Sequence, residues 1–446
     1  MIAIGAVMHL DEAFALTAAY ATPESFETFS RHIDRTWIEE ALLSTGKATI
    51  RRRRLPAEQV VWLVLGIGLL RDLPIADVIE RLDLAVGEDK TVARSAIPPA
   101  RVRVGAEPLE WLFARSAHEW SSRSAARECW HGLTLWAVDG TTMRVPDTAE
   151  NRAHFRGQPA GKAGRGDSGY PSLRMVVLMT LRSHLIAAAS FGPYLTDERI
   201  YAEDIWAALP EQSLVIVDRN YVQADVMAMG DEGSGRHWLM RAKSTTTYVK
   251  AEKLGEGDFL VEKEVSSYSQ QKGVPPTLRM RAIEYRHGKE TRVLLTSMLD
   301  SKRFPAEEIV ALYRERWEIE LGYGELKTDM LERAETLRSK SPSSVAQELW
   351  GILIAYNMVR LEMERIADEL KVSPLRISFI EALRSIREQW LWASMTHSPG
   401  AIPKRLATMR DRMRRFLLPD RRERSYPRVV KIKMSNYARK RPRPTK

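Results

Sequence analysis

Two short apolar runs in the middle of the chain each end in an acidic residue, and they constrain the fold more than any other feature. The run LTLWAV leads into Asp139, and the run SLVIV leads into Asp218. Short apolar runs bounded by turn residues are typical of strands covered on both faces, as in parallel sheets. Because α/β proteins place ligand-binding groups at the carboxyl ends of such strands, both aspartates are candidate functional residues. The alternative is that each aspartate only caps a turn or a helix.

The pattern of apolar residues changes along the rest of the chain, which divides it into segments. Helical spacing dominates the N-terminal part, strand-like runs fill the region after the second aspartate, and helical spacing returns from Pro305 onward. We therefore expect an α/β fold flanked by helical regions. The expected segments are residues 1–130, 131–235, 236–300, 301–375 and 376–446.

A third acidic candidate lies on the helix predicted after Pro305. At 100° per residue, four polar side chains share an arc of about 60° on this helix. They are Tyr313, Arg316, Glu320 and Lys327. The neighbouring acids Glu318 and Glu325 point away from that arc, so the geometry selects Glu320. The alternative is a solvated helix face on which Arg316 and Glu320 pair at i, i+4.

Three carboxylates of this kind suit the cleavage of a phosphodiester bond. The reaction needs an activated water or hydroxyl and a stabilised leaving oxygen, and two divalent ions about 4 Å apart serve both. Mg²⁺, or Mn²⁺ in its place, prefers oxygen ligands such as Asp139, Asp218 and Glu320. Arg316 and Lys327 would then hold the neighbouring phosphates.

Positive charge is concentrated at the C-terminus. Residues 401–446 contain 17 Lys or Arg residues against three acids, although the whole chain carries a net charge of only +10. A segment this basic favours a nucleic-acid partner, because each cation placed on a phosphate releases counterions. The alternative is a solvated tail. A second basic run is a candidate phosphate contact or a solvated loop, and it consists of Arg51, Arg52, Arg53 and Arg54.

Composition excludes several other classes of protein. The chain has one cysteine, Cys129, so it contains no internal disulfide framework. Its nine histidines show no zinc-ligand spacing. The most apolar run, from Val60 to Leu70, is too short to span a bilayer, and no secretory signal is evident. We therefore expect a cytoplasmic protein without a membrane partner.

These motifs together resemble one known family. The spacing Tyr313-x2-Arg316-x3-Glu320-x6-Lys327 resembles the tyrosine–arginine–glutamate–lysine signature of the DDE transposases named after insertion sequence 4. The block AVDGTTMRVPDTAEN around Asp139 is similar to the first acidic motif of that family, and LVIVDRNY around Asp218 is similar to its second. The stretch DSGYPSLR and the N-terminal run from IDRTWIEEALLSTGKATI to VVWLVLG are also similar.

The resemblance implies an architecture for the five segments. It is an RNase H-like catalytic core interrupted by a β-strand insertion, with an α-helical N-terminal domain and a helical, basic C-terminal region. The core would occupy 131–235 and 301–375, the insertion 236–300, the DNA-binding domain 1–130 and the basic region 376–446. Within the second acidic motif, Asn220 stands where glycine is frequent in the family, and asparagine tolerates left-handed backbone angles better than most residues.

The same resemblance implies an activity and its partners. Such enzymes excise an insertion sequence by cut-and-paste transposition, through hairpin intermediates, and act as homodimers on terminal inverted repeats and target DNA in the bacterial nucleoid. A tryptophan of the insertion can accept a flipped base, and Trp238 is the candidate here. Two alternatives stay open: a metal-dependent nuclease with the same core that cuts without joining, and a DNA-binding regulator without catalysis.

Overall fold

The computed structural model describes residues 33–48, 55–82, 84–85, 92–157, 169–230, 233–331, 336–395 and 402–419. The run Arg51–Arg54 and residues 420–446 of the basic tail lie outside these described residues. The strands are β1 (Thr134–Arg144), β2 (Ser172–Thr180), β3 (Ile186–Pro193), β4 (Ser213–Val217), β5 (Arg236–Arg241), β6 (Val249–Gly255), β7 (Asp258–Glu264), β8 (Thr277–His287) and β9 (Glu290–Thr296).

Helices precede, interrupt and follow these strands. The α-helices are α1 (Arg35–Ser44), α2 (Ala57–Leu69), α3 (Ile75–Arg81), α4 (Ile97–Val104), α5 (Glu107–Ala125), α6 (Ala149–Phe155), α7 (Glu198–Trp206), α8 (Ala224–Ala228), α9 (Ser267–Gln271), α10 (Ala306–Tyr313), α11 (Trp317–Gly324), α12 (Pro342–Leu370), α13 (Phe379–Met395) and α14 (Ile402–Arg412). The predictions of helical ends and a strand-rich region after Asp218 are confirmed within the described residues.

All nine strands join one sheet in the order β3-β2-β1-β4-β5-β9-β8-β7-β6. Strands β1, β4 and β5 run parallel to one another, whereas β2 and β3 on one side and β9 to β6 on the other are antiparallel. Although β5 falls in the segment 236–300, it pairs directly with β4. The strands after β5 extend the same sheet as a meander.

The part of the sheet that contains β4 is buried on both faces, as its apolar run predicted. Alternate residues of β4 enter different cores: Leu214 and Ile216 pack on one side, and Val215 and Val217 on the other. Helix α12 covers the first face and α7 the second. Because an unbroken apolar run serves both faces, its end is the first place where a polar side chain can stand.

Helix α12 also joins the N-terminal helices to the sheet. It packs against α2 so closely that a Cβ atom on Gly351 would lie 2.5 Å from Val64 Cγ1. Buried polar contacts fix the same interface, since Arg71 Nη1 donates to Glu348 Oε1 at 2.8 Å and Arg101 Nε donates to Gln347 Oε1 at 2.8 Å. Within the described part of the chain, no helix combines the length and hydrophobicity needed to cross a bilayer.

The helix predicted from Pro305 is not a uniform α-helix. A 3₁₀ turn at Arg314–Arg316 separates α10 from α11, and a π-helical stretch at Glu325–Met330 follows α11. The prediction of one continuous 100° periodicity across all four polar residues is therefore wrong in detail. The wider π turn changes the rotation per residue after Glu320, which displaces Lys327 from its predicted angle.

Candidate active site

The two aspartates lie on neighbouring strands, but only Asp218 follows the end of its strand. Asp139 lies inside β1, which continues to Arg144 because its pairing with β2 extends beyond the apolar run, so the expectation of a strand end at Asp139 is wrong. Strands β1 and β4 are parallel with Val138 opposite Val217, so Asp139 and Asp218 are the next residues in register. Neighbouring strands lie about 4.8 Å apart. Asp218 also accepts a hydrogen bond from Asn220 N–H at 2.6 Å and thereby caps the short 3₁₀ turn Arg219–Tyr221. That turn has a right-handed backbone, so Asn220 needs none of the left-handed tolerance considered above.

The electrostatics of Asp139 show negative charge that its surroundings do not fully compensate. Burial raises the pKa of the Asp139 carboxyl to about 7. The Gly140 N–H, which donates to Asp139 Oδ1 at 2.8 Å, opposes that rise. Asp218 adds to it, and Arg316 also opposes it. Because the pKa of Asp139 is raised on balance, the site favours either a proton on this carboxyl or a bound cation.

The segment carrying Glu320 is fastened to the strand that carries Asp139. Tyr323 on α11 is buried, and its hydroxyl donates to the backbone carbonyl oxygen of Asp139 at 2.6 Å. This bond fixes α11 over β1, immediately beside the first aspartate. Glu320 lies almost one turn earlier on the same helix.

Glu320 itself is paired with Arg316, whose Nη2 donates to Glu320 Oε1 at 2.9 Å. The pairing predicted as the alternative role of this face is therefore present. An i, i+4 ion pair contributes only about 0.3–0.5 kcal/mol, and the Glu320 side chain is 38% exposed. This pair is weak enough to open when a stronger partner arrives.

The donor set fits a divalent cation, although its ligands are not preassembled. Within the described residues, no three Asp, Glu, His or Cys side chains lie close enough together to hold a metal ion. The candidate ligands Asp139, Asp218 and Glu320 are all carboxylates, which suits Mg²⁺ or Mn²⁺. Since Asp139 and Asp218 leave negative charge uncompensated, a cation would offset their repulsion, and Glu320 would need to turn away from Arg316.

The other residues predicted to contact DNA on this segment are Tyr313, Arg316 and Lys327. Burial raises the pKa of Tyr313 to about 12, while Arg316 opposes this rise and Asp218 adds to it, so these three residues lie within electrostatic reach. Lys327 is half-buried in the π-helical stretch. The Arg316 guanidinium also lies 5.0 Å from the centroid of the Trp317 ring.

Trp238 does not lie at a surface where DNA could reach it. It stands on β5, is 2% exposed, and its Nε1 donates to the Met227 carbonyl oxygen at 2.8 Å. A base-accepting role would require this side chain to leave the core. The structure therefore gives the expectation for Trp238 no support.

One acidic residue near the two aspartates was not predicted from the sequence. Glu198, the first residue of α7, lies within electrostatic reach of both Asp139 and Asp218. Its sequence context, Thr196-Asp197-Glu198, is typical of a helix start, and Asp197 does cap the helix through Arg199 N–H. Because that local role explains the residues fully, no sequence signal indicated a second one.

Comparisons with known proteins identify the family of the chain. Residues 130–358 match the family model described as Transposase DDE domain, and residues 23–114 match the model described as Insertion element 4 transposase N-terminal. The chain is 37% identical over 438 residues to the transposase InsG for insertion sequence element IS4 of Escherichia coli (strain K12). That alignment covers 96% of this chain and 98% of the relative.

Two further similarities are weaker. The putative transposase InsZ of the same organism is 36% identical over 224 residues, which is 49% of this chain and 73% of the relative. A solved structure of the piggyBac transposase synaptic complex with hairpin DNA aligns over 91% of this chain and 86% of that chain. It does so with 10% identity and a TM-score of 0.40, a likeness too low to define the fold.

Proposed function

Because the chain belongs to the insertion sequence 4 family of DDE transposases, we propose that Asp139, Asp218 and Glu320 are its catalytic, metal-binding carboxylates. The observation that carries this proposal is the parallel register of β1 and β4, which sets the two aspartates side by side. The Tyr323 hydrogen bond to Asp139 supports it further, since it fastens the helix of Glu320 to the same strand.

The residues around these acids have distinct roles in the proposal. When bound, two Mg²⁺ or Mn²⁺ ions would activate the nucleophile and stabilise the leaving oxygen. Asp139 and Asp218 present their carboxylates from a rigid sheet, and Glu320 completes the set after releasing Arg316. The freed Arg316 guanidinium, together with Tyr313 and Lys327, then holds the phosphates beside the bond to be cleaved.

We propose that the sheet is an RNase H-like core with an insertion. Support comes from the strand order β3-β2-β1-β4-β5, in which β1, β4 and β5 are parallel and β2 and β3 antiparallel. The proposed insertion lies within 236–300 and supplies β6 to β9. The proposed N-terminal domain, 1–130, and basic region, 376–446, complete the architecture.

The proposed substrate is double-stranded DNA at terminal inverted repeats, followed by target DNA, in cut-and-paste transposition. The family supports this reaction, and the 17 Lys or Arg residues of 401–446 support DNA as the partner. We propose that Arg51, Arg52, Arg53 and Arg54 contact phosphates, that a homodimer holds two ends, and that the enzyme works in the bacterial cytoplasm on nucleoid DNA.

The proposal is tested with end-labelled DNA carrying the inverted repeats that flank the gene. Asp139→Asn, Asp218→Asn and Glu320→Gln should each lower cleavage by about 10³-fold or more, because each removes several kcal/mol of transition-state stabilisation. End binding in a gel-shift assay should persist. Glu307→Gln, at an exposed position on α10, is the matched control and should cleave normally.

The outcomes separate the alternatives. Normal cleavage by all three acid variants would show that the catalytic residues lie elsewhere. Cleaved ends that never join to target DNA would identify a nuclease, and end binding without any cleavage by the unaltered chain would identify a regulator.

A further inference from the structure

Glu198 occupies a gap beside the first aspartate that only glycine leaves open. If Gly140 carried a Cβ atom, that atom would lie 2.6 Å from Glu198 Oε2. On the other side, Asn220 Nδ2 donates to Glu198 Oε1 at 3.4 Å. The carboxylate of Glu198 therefore stands between the residue after Asp139 and the residue two positions after Asp218.

Glu198 approaches from the face of the sheet opposite to the Asp139 side chain. Along β1, Ala137 belongs to the first core and Val138 to the second, so Asp139 and Gly140 also face opposite sides. Helix α7 packs in the second core through Ala202 and Ile205. Its first residue therefore lies on the second-core side of the sheet, whereas α11, which carries Glu320, packs in the first core through Ile319 and Tyr323.

The Glu198 carboxylate is held only loosely. Arg174 Nη1 lies 4.0 Å from Glu198 Oε2, and the hydrogen bond from Asn220 is long at 3.4 Å. Contacts of this length contribute little to stability. Little binding energy would therefore be lost if the carboxylate left these partners for a cation between the two aspartates.

A buried hydroxyl beside these acids gives independent evidence that a ligand binds at this place. Tyr221 is 0% exposed, and its hydroxyl has no hydrogen-bond partner among the described residues. The same hydroxyl lies within electrostatic reach of Glu198, Asp139 and Asp218. Because a buried donor without a partner is costly, a bound group such as a water on a cation would satisfy it.

We propose that Glu198 is a fourth carboxylate of the catalytic centre, completing the cation site from the second face of the sheet. This inference rests on the proposed function of Asp139 and Asp218. It also explains why glycine follows Asp139: any larger residue would occupy the position of the Glu198 carboxylate. Tyr221 is a positioning residue in this arrangement, since its hydroxyl would orient the group bound between the acids.

The test measures Mn²⁺ binding to the full-length chain directly, by electron paramagnetic resonance of the free ion. Glu198→Gln keeps the size of the side chain and an oxygen for Asn220, yet it should lower Mn²⁺ affinity about 10- to 100-fold. Gly140→Ala should lower the affinity in the same direction, since its methyl group displaces the Glu198 carboxylate. Glu203→Gln, an exposed change on the same helix, should have no effect. Far-UV circular dichroism verifies that each variant is folded.

The outcomes distinguish this inference from the proposed function. If Glu198→Gln and Gly140→Ala bind Mn²⁺ as the unaltered chain does while Asp218→Asn loses it, the inference is overturned and the proposed function stands. If Asp139→Asn and Asp218→Asn also bind Mn²⁺ normally, the proposed function fails, and the inference fails with it.

Discussion

Two groups of charged, partly buried side chains lie near the helical segment that carries Glu320. The first consists of Asp139, Asp218 and Glu198, and we call it the catalytic cluster after its proposed role. The second, the anchor cluster, consists of His184, Glu318, Glu325 and Arg360. Both contain partly buried carboxylates. The surroundings raise the pKa of Asp139 in the first cluster and lower the pKa of Glu325 in the second.

In the anchor cluster, every described acid has close polar partners. Glu325 accepts hydrogen bonds from Tyr356 Oη at 2.8 Å and Arg360 Nη1 at 3.3 Å, and His184 Nδ1 lies 3.3 Å from it. Burial alone would raise the pKa of Glu325, but Arg360 and His184 hold it at about 2. His184 Nε2 also lies 3.0 Å from Glu318.

The comparison separates structural acids from functional ones. A buried carboxylate surrounded by donors is part of the framework, because its charge is already satisfied. A buried carboxylate with a raised pKa, such as Asp139, stores unfavourable charge that a ligand can relieve. The anchor cluster thus holds the helix that carries Glu320 in a fixed position.

The largest effect on stability should follow from breaking the anchor cluster. Glu325→Gln leaves the buried Arg360 charge without its carboxylate, and breaking one partner of such a pair costs about 3–5 kcal/mol. Urea denaturation should show this loss. Glu320→Gln is the matched control on the same segment, and its stability should change by only about 0.5 kcal/mol. If both variants lost the same free energy of unfolding, the anchor cluster would contribute no more to stability than the exposed pair of Arg316 and Glu320.

The anchor cluster should also make the free energy of unfolding depend on pH in the acidic range. The folded-state pKa of Glu325 is lowered to about 2 from 4.5, so its stabilising contribution is present above about pH 4.5. It is lost as the pH falls from there toward 2, and a shift of this size corresponds to about 3 kcal/mol. The stability gap between the unaltered chain and Glu325→Gln should therefore shrink on acidification, as measured by urea denaturation at each pH.

In metal-free protein, the contribution of the catalytic cluster to stability should change with pH in the opposite direction. Because the pKa of Asp139 is raised from 3.8 to about 7, the folded chain holds that proton more tightly than the unfolded chain. Its contribution is favourable below about pH 4 and is lost as the pH rises through 7. Asp139→Asn should lose less stability than the unaltered chain over that range, and a steeper loss would contradict the comparison.

Much of this arrangement follows from sequence because it depends on local pattern. The apolar runs before Asp139 and Asp218 predict the buried strands. The helical spacing predicts that Glu318 and Glu325 point away from Glu320. The structure places those two acids against His184, on the far side. The family was also identified correctly from the motifs.

The parts that could not be predicted depend on distant packing. His184 is separated from Glu318 by 134 residues, so no local pattern brings them together. The π-helical stretch at Glu325–Met330 includes the anchored Glu325, and a helical wheel assumes that such changes of pitch do not occur. The expectation for Trp238 comes from the family resemblance alone. The contacts that bury this side chain, such as the hydrogen bond from its Nε1 to the Met227 carbonyl oxygen, are made by residues outside its own strand.

A smaller effect should follow from removing one donor of the anchor cluster. Tyr356→Phe deletes the hydroxyl that donates to Glu325, while the Arg360 and His184 contacts stay in place. A hydrogen bond to a charged group contributes about 2 kcal/mol. The loss measured by urea denaturation should therefore be smaller than that of Glu325→Gln, and a loss as large would show that Tyr356 supports more than one partner.

The smallest effect on stability should come from substituting Asp218, one of the proposed catalytic residues. Asp218→Asn keeps an oxygen at the position that accepts the Asn220 N–H, and asparagine caps a helical turn about as well as aspartate. The substitution also removes one of the charges that repel one another beside Asp139. Neither effect is large, since the cap is kept and the two charges repel each other only across a partly solvated site. Urea denaturation should therefore detect a change within about 0.5 kcal/mol while cleavage is lost. If Asp218→Asn destabilised the chain as severely as Glu325→Gln, Asp218 would belong with the framework, and its loss of activity would report unfolding instead of a missing metal ligand.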